Sequence, residues 1–212
     1  MINVLCYGDS NTWGFDAKKN ERFPFEKRWC GVLQRCLGDG YKIYEEGLGG
    51  RTTAFDDPVC DDANGAKGIL QALKTTYPLD LVIIMLGTND CKIHLRQESY
   101  SIAAGMEKLI KTVISPHFNE AFGGCPRVMI ICPARFGIDE ASCPSTDFDE
   151  DSVRHMNELP ELYRDIAQRF DCMYFDAQDA SPDVRYDGVH MDEKSHERLG
   201  KMLAESIKRT FE

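Results

Sequence analysis

The stretch LDLVIIML, residues Leu79–Leu86, is the most informative segment for the fold because it is apolar almost throughout. A strand with this pattern is covered on both faces, as strands at the centre of a parallel sheet are. The polar turn Gly87-Thr88-Asn89-Asp90 follows it directly. The segment therefore predicts a central strand that ends in a turn rich in hydrogen-bonding groups.

Four shorter apolar runs alternate with stretches of helical periodicity on either side of this segment. The predicted strands are Ile2–Tyr7, Tyr41–Glu45, Arg127–Cys132 and Cys172–Phe175. The predicted helices cover Trp29–Leu37, Ala66–Leu73, Ile102–Val113, Leu159–Phe170 with Pro160 in its first turn or at a kink, and Glu193–Lys208 with Asp192 as N-cap. Alternation of this kind predicts an α/β fold, a three-layer α/β/α sandwich with a flavodoxin-like five-stranded parallel sheet. We expect residues 1–212 to form a single domain.

The composition restricts the classes of partner. The chain has 212 residues with 42% hydrophobic residues, enough for one packed core and too many for a disordered chain. Lys and Arg number 25 against 35 Asp and Glu, which gives a net charge of −10. Because phosphates and anionic lipids repel such a chain, we expect neither a nucleic-acid nor a membrane partner.

The first residues, MINVLCYGDSN, lack a basic region and a long apolar stretch, so we expect no signal peptide and a cytoplasmic location. Nine cysteines without a C-x-x-C pair predict reduced thiols. The sequence has no G-x-G-x-x-G motif, and its histidines form no cluster with ligand spacing, so we expect no cofactor and no metal. The irregular stretch Ala134–Arg154 is interpreted either as a lid or binding loop or as a solvated surface excursion.

Polar and glycine-rich segments follow each predicted strand. In an open α/β sheet, ligands bind beyond the carboxyl ends of the strands, so these segments are expected to gather at one edge. They are Gly8-Asp9-Ser10-Asn11-Thr12, the Gly47–Thr53 segment, Gly87-Thr88-Asn89-Asp90, Pro133-Ala134-Arg135 and Asp187-Gly188-Val189-His190.

An acyl-transfer site needs a nucleophile, a base, a group that orients the base, and donors for an oxyanion. Ser10 follows the first strand in a tight turn, although a serine there often only caps a helix. Asp187 precedes His190 by three positions, a spacing that lets a carboxylate hold the imidazole tautomer. A lone histidine, however, is more often an ordinary surface or core residue.

Three groups are candidate oxyanion donors. They are the backbone N–H of Ser10, a backbone N–H in the Gly49-Gly50 turn, and the side-chain amide of Asn89. We expect Asp9 and Asp90 to brace the adjacent loops rather than to react.

The four blocks Gly8-Asp9-Ser10, Gly49-Gly50, Gly87-Thr88-Asn89-Asp90 and Asp187-Gly188-Val189-His190 together resemble the SGNH hydrolase family, also called GDSL-type esterases and lipases. They stand in the family's order between residues 8 and 190. The longer stretches Gly8–Gly14, Glu45–Leu48, Arg51–Thr53, Asp56–Pro58 and Leu79–Asp90 are similar to the arylesterase/acyltransferase branch of this family.

The resemblance implies the SGNH hydrolase fold and assigns roles. Ser10 would be the nucleophile, His190 the base and Asp187 its orienting partner. The oxyanion donors would be the Ser10 N–H, the Gly50 N–H and the Asn89 side chain. Gly50 is preferred to Gly49 because the family's donor stands two residues before Thr52. This chain has two glycines where members of the branch carry small side chains.

The resemblance implies a serine esterase that hydrolyses small carboxylic esters or transfers their acyl group. A carbohydrate O-acetylesterase is the alternative on the same fold, and a flavodoxin-like binding module is a third interpretation. Asp9, Trp13 and Gly49 are the predicted substrate-binding residues, and Phe15 is expected to wall the acyl site together with Trp13. The expected partners are a small-molecule ester and a second copy of the chain, for which the Trp13–Arg28 segment is the candidate contact.

Overall fold

A computed structural model describes residues 1–122, 124–137, 147–181 and 186–211. Its strands and helices are, in chain order, β1 (Ile2–Gly8), α1 (Ser10–Trp13), β2 (Phe15–Asp16), β3 (Glu21–Arg22), α2 (Trp29–Leu37), β4 (Tyr41–Gly47), α3 (Gly65–Thr76), β5 (Leu81–Met85), α4 (Ser99–Val113), α5 (Pro116–Phe122), β6 (Arg127–Cys132), α6 (Glu150–Arg169), β7 (Met173–Asp176) and α7 (Glu193–Phe211).

Five strands form one sheet in the order β4-β1-β5-β6-β7, and each neighbouring pair is parallel. This confirms the predicted five-stranded parallel sheet with flavodoxin-like order. The most apolar segment, β5, is the central strand and is buried along its whole length. Because all five strands run in the same direction, the segments that follow them meet at one edge of the sheet.

The two faces of the sheet bury separate apolar clusters because successive strand residues point to opposite sides. On β1, Leu5 and Tyr7 pack on the face covered by α3, α4 and α6. Val4 and Cys6 pack on the other face, which α2 and α7 cover. The structure therefore confirms the predicted three-layer α/β/α architecture.

Helix α6 is the largest correction to the predicted elements. It was expected over Leu159–Phe170 but spans Glu150–Arg169, and Pro160 lies inside it rather than in its first turn. The early start has a local cause, a capping box in which Asp149 Oδ1 accepts the Ser152 N–H at 2.9 Å. The predicted irregular stretch therefore ends before Glu150, and residues 138–146 of it lie outside the described residues.

Helix α7 is longer than expected at its carboxyl end, and Asp192 Oδ1 accepts the Ser195 N–H at 2.7 Å, which confirms the predicted N-cap. A hairpin of β2 and β3, with Phe15 opposite Arg22, was not predicted because two-residue strands leave no periodicity. Within the part of the chain that the structure describes, none of the helices has the length and apolar content to cross a membrane.

Candidate active site

Ser10 lies directly beyond the carboxyl end of β1, where it begins the short helix α1. Asp9 is the N-cap of this helix, and its Oδ1 accepts the backbone N–H of Asn11 at 2.9 Å. The chain turns this tightly because residue 8 is glycine: a Cβ at that position would lie 2.0 Å from the Thr12 hydroxyl oxygen. The turn places Ser10 at the ligand-binding edge of the sheet.

Ser10, His190 and Asp187 form a continuous chain of hydrogen bonds. The Ser10 Oγ lies 2.9 Å from His190 Nε2, and His190 Nδ1 lies 2.6 Å from Asp187 Oδ2. A carboxylate can only accept, so Nδ1 carries the proton and Nε2 presents its lone pair to the serine hydroxyl. The structure thus brings together the three residues that the sequence proposed as nucleophile, base and orienting acid.

The Asp187 carboxylate is also held by the backbone of its own loop. Its Oδ1 accepts the N–H of Val189 at 3.0 Å and the N–H of His190 at 2.8 Å. Burial alone raises the pKa of Asp187, but the hydrogen bonds with the His190 ring and the backbone outweigh burial and lower that pKa to about 2. At neutral pH the carboxylate is therefore charged and stabilises an imidazolium.

The Phe15 ring contacts the His190 imidazole in an edge-type arrangement. The ring centroids are 4.7 Å apart and the planes are inclined by 61°. Phe15 belongs to the β2–β3 hairpin, so this hairpin forms one wall of the cleft beside the histidine.

Ser10, Gly50 and Asn89 line the same cleft. Among the described residues, neither the Ser10 N–H nor the Gly50 N–H has a backbone hydrogen-bond acceptor. The Asn89 Nδ2 donates one hydrogen to the Arg51 carbonyl at 3.1 Å, which fixes the amide plane and leaves a second N–H. The three predicted oxyanion donors are therefore gathered at one place, and Gly50 rather than Gly49 lines the cleft.

The Gly50 turn requires glycine. Its φ is +78°, in the left-handed region, and a Cβ there would lie 2.6 Å from the Cys60 Sγ. The next residue, Arg51, is buried and donates from its guanidinium to the Gly8 carbonyl at 2.8 Å. This bond ties the turn to the end of β1, next to Ser10.

Asp90 connects the loop that follows β5 to the segment that follows the Gly50 turn. It is fully buried, and its carboxylate accepts the Thr53 N–H at 2.9 and 3.0 Å and the Thr53 hydroxyl at 2.5 Å. Burial raises the pKa of Asp90 to about 7, although the bonds with Thr53 act in the opposite direction. Asp90 therefore has the bracing position that the sequence predicted for it.

The cleft has a volume of about 280 Å³. It is lined by Ser10, Phe15, Gly50, Asn89, Lys92, Asp147, Phe148, Asp187, Val189 and His190. Larger cavities of about 770 and 610 Å³ contain neither Ser10 nor His190. The described His, Cys, Asp and Glu residues form no group of three or more arranged to hold a metal ion.

The three predicted substrate-binding residues are not among those that line this cleft. Asp9 is 1% exposed because its carboxylate caps α1. Trp13 carries the Arg22 guanidinium over its ring, 4.7 Å from the centroid. Gly49 is exposed on the outer side of its turn. The structure therefore places these three positions outside the lining of the cleft, and their role in substrate binding stays a prediction.

Lys92 is a cleft residue that the sequence did not reveal. Its Nζ lies 3.1 Å from Asp57 Oδ2, and the other oxygen of that carboxylate lies 2.9 Å from His94 Nε2. The Asp57 side chain is completely buried. The only signal in the sequence was the position of Lys92, three residues after Asn89 in the turn that follows β5.

Comparisons with known proteins bear on the family and the fold of this chain. A model of the GDSL-like lipase/acylhydrolase family matches residues 6–198. A carbohydrate acetylesterase from Sinorhizobium meliloti is 36% identical, covers 100% of both chains and superposes with a TM-score of 0.91. The aryl esterase of M. smegmatis is 35% identical over 99% of both chains, with a TM-score of 0.89.

An acetylxylan esterase from Xylanibacter ruminicola is 23% identical over 98% of this chain, which spans only 43% of that relative's length. The family match and the two solved structures confirm the predicted family, fold and ester-hydrolase class. They do not favour the flavodoxin-like binding module. The chain belongs to the GDSL-like lipase/acylhydrolase family and is a carboxylic ester hydrolase.

Proposed function

We propose that this chain hydrolyses small esters, acetate esters foremost, through an acyl-enzyme on Ser10. The observation that carries the proposal is the unbroken chain of hydrogen bonds from Ser10 through His190 to Asp187, beside three candidate oxyanion donors. This arrangement contains each group that acyl transfer needs.

In the first half-reaction, His190 Nε2 takes the hydroxyl proton as the Ser10 Oγ attacks the ester carbonyl. The N–H groups of Ser10 and Gly50 and the amide of Asn89 stabilise the negative charge on the tetrahedral intermediate. The C–O bond to the alcohol then breaks, and the protonated His190 gives its proton to the leaving alkoxide.

In the second half-reaction, His190 takes a proton from water, and the resulting nucleophile attacks the acyl-enzyme. The Ser10 oxygen leaves with the proton from His190, and the carboxylic acid is released. An alcohol that replaces water gives acyl transfer instead. Asp187 stays charged throughout and holds the imidazole in one tautomer.

The cleft favours a short acyl group. Its volume of about 280 Å³ lies at the lower limit for ligand pockets, and the rings of Phe15 and Phe148 form part of its lining. The named relatives act on aryl esters and on carbohydrate acetates. A second candidate function, carbohydrate deacetylation, is favoured by Lys92 and Asp147, whose polar side chains also line the cleft and could bind a hydroxylated alcohol.

A substrate panel tests the proposal. Wild type and Ser10→Ala are assayed with p-nitrophenyl acetate, butyrate and octanoate, and with an acetylated xylo-oligosaccharide. We expect rates to fall with acyl length, and we expect Ser10→Ala to lose several orders of magnitude in kcat on each substrate.

Circular dichroism checks that the variant is folded. A folded Ser10→Ala with wild-type rates would contradict the proposed mechanism, and a preference for octanoate would contradict the proposed acyl size. Faster release of acetate from the oligosaccharide than from the aryl ester would select the second candidate function.

A further inference from the structure

Asn11 connects the turn that carries Ser10 to the loop that carries His190. Its Nδ2 donates to the Val189 carbonyl at 3.3 Å, and its Oδ1 accepts the Met191 N–H at 2.9 Å. These two backbone groups lie immediately before and after His190 in the chain. A single side-chain amide therefore holds the histidine's backbone from both directions.

Both functions of the amide are used at this position. One planar group donates to a carbonyl and accepts from an N–H, a pairing that suits the amide of Asn. Asn11 is 7% exposed, so water has little access to replace it. The backbone N–H of Asn11 is itself fixed by Asp9, so the connection starts from a rigid point.

Asp187 cannot perform this task. It orients the imidazole, but it belongs to the same loop as His190 and moves together with it. Phe15 adds a ring contact without a hydrogen bond. Apart from the Ser10–His190 bond itself, the two bonds of Asn11 are the described hydrogen bonds that join the His190 loop to the Ser10 turn.

We propose that Asn11 is a positioning residue that sets the distance between the Ser10 hydroxyl and the His190 imidazole. The inference rests on the proposed roles of Ser10 and His190. Asn11 is not among the residues that line the cleft, so its loss should reduce kcat and leave KM unchanged.

Two variants separate the bonds. Asn11→Leu removes both of them. Asn11→Asp keeps the acceptor for the Met191 N–H and places an oxygen against the Val189 carbonyl, so it should show an intermediate kcat. It also provides a milder change if the leucine variant folds poorly.

Gln34 offers a matched control at the other end of the sheet. Its Nε2 donates to the Tyr41 carbonyl at 2.9 Å, and its Oε1 accepts the Ile43 N–H at 2.9 Å. The amide thus bonds residues two apart, as Asn11 does, but it lies at the start of β4, away from Ser10. Gln34→Leu should therefore lower stability without changing the rate at each active site.

The test measures kcat and KM for p-nitrophenyl acetate, with active sites counted by a serine-directed phosphonate that is allowed to react to completion. The labelled peptide is identified by mass spectrometry. We expect Asn11→Leu to lose about 10²-fold in kcat per labelled site, as a misplacement of about 1 Å does, with an unchanged KM. The rate of labelling should fall in parallel, because phosphonylation uses the same Ser10–His190 pair.

A wild-type kcat per labelled site in Asn11→Leu would overturn the inference. So would an equal loss of kcat in Gln34→Leu, because a general loss of stability would then explain both. If the label is found on a residue other than Ser10, the proposed function fails, and this inference fails with it.

Discussion

Alanine at position 50 should damage catalysis while alanine at position 49 should not. Gly50 has a φ of +78°, and a Cβ there would lie 2.6 Å from the Cys60 Sγ. Gly49 has no left-handed φ, and a Cβ built on it meets no atom within 4 Å. The same substitution at neighbouring positions of one turn therefore has opposite structural consequences.

The magnitude follows from two costs. A non-glycine residue in the left-handed region costs about 1–2 kcal/mol. Forcing a methyl group against Cys60 adds about 1–3 kcal/mol of overpacking unless the thiol moves. Because the turn is only half-buried, we expect it to shift rather than the protein to unfold. A shift that withdraws the Gly50 N–H from the cleft costs on the order of 10²–10³ in kcat, the usual effect of losing one oxyanion donor.

The assay compares Gly49→Ala, Gly50→Ala, Cys60→Ala and the double variant at positions 50 and 60. Initial rates with p-nitrophenyl acetate are divided by the number of phosphonate-labelled sites. We expect wild-type kcat for Gly49→Ala and Cys60→Ala and a large loss for Gly50→Ala. The double variant should recover the part of the loss that comes from the thiol contact, and keep the part that comes from the backbone.

Wild-type kcat in Gly50→Ala would contradict the predicted damage, because an intact turn with a side chain at position 50 would show that neither strain nor contact exists there. An equal loss in Gly49→Ala would contradict the predicted difference between the two positions. Thermal unfolding of each variant shows whether a lost rate reflects the turn or the whole fold.

Three further substitutions test the charged groups around the cleft. Asp187→Asn should lower kcat by about 10⁴-fold with little change in KM, because an amide no longer fixes the His190 tautomer; steady-state kinetics checks this. Asp90→Asn should remove a pH dependence of the free energy of unfolding, which urea unfolding between about pH 4 and 8 would measure. Because the pKa of Asp90 is raised from 3.8 to about 7 in the folded state, its contribution to stability is full below pH 4 and is lost as the pH rises through 7. Lys92→Met should lower the free energy of unfolding in urea by about 1–3 kcal/mol, because the buried Asp57 carboxylate then has one charged partner fewer. Adding Asp57→Asn to this variant should restore part of the loss.

The strands and the convergence of Ser10, Asp187 and His190 could be predicted from the sequence. In a parallel sheet, the strand order and direction alone determine where the segments after each strand lie. Once Leu79–Leu86 is taken as a central strand, the segments after each strand must meet at one edge. Ser10 and His190 stand in such segments, and Asp187 stands one turn before the histidine. Their convergence therefore needs no knowledge of side-chain packing.

The start of α6 could not be found by apolar periodicity. Its first turn contains Glu150 and Asp151, which look like a solvated acidic loop in the sequence. Acidic residues are favourable at the N-terminus of a helix, and Asp149 supplies the cap. The acidic composition suggested a loop there, but the Asp149 cap and the acidic first turn stabilise the start of a helix.

The lining of the cleft depended on contacts between distant residues. Lys92 is held by Asp57, which lies 35 positions away, so neither residue is marked locally. Trp13 and Phe15 were equivalent candidates in the sequence. The left-handed Gly14 and the short hairpin after it bring Phe15 to His190 and leave Trp13 under Arg22.

Trapping the acyl-enzyme shows whether Ser10 is the nucleophile. Wild type is mixed with excess p-nitrophenyl acetate, quenched in acid within the first turnovers, digested and mapped by mass spectrometry. The proposed mechanism predicts one acetyl group on the peptide that contains Ser10 and no such group in Ser10→Ala. In His190→Ala, the acetyl group should accumulate only if Ser10 can still be acylated. An acetyl group on another residue, together with undiminished turnover in Ser10→Ala, would contradict the account.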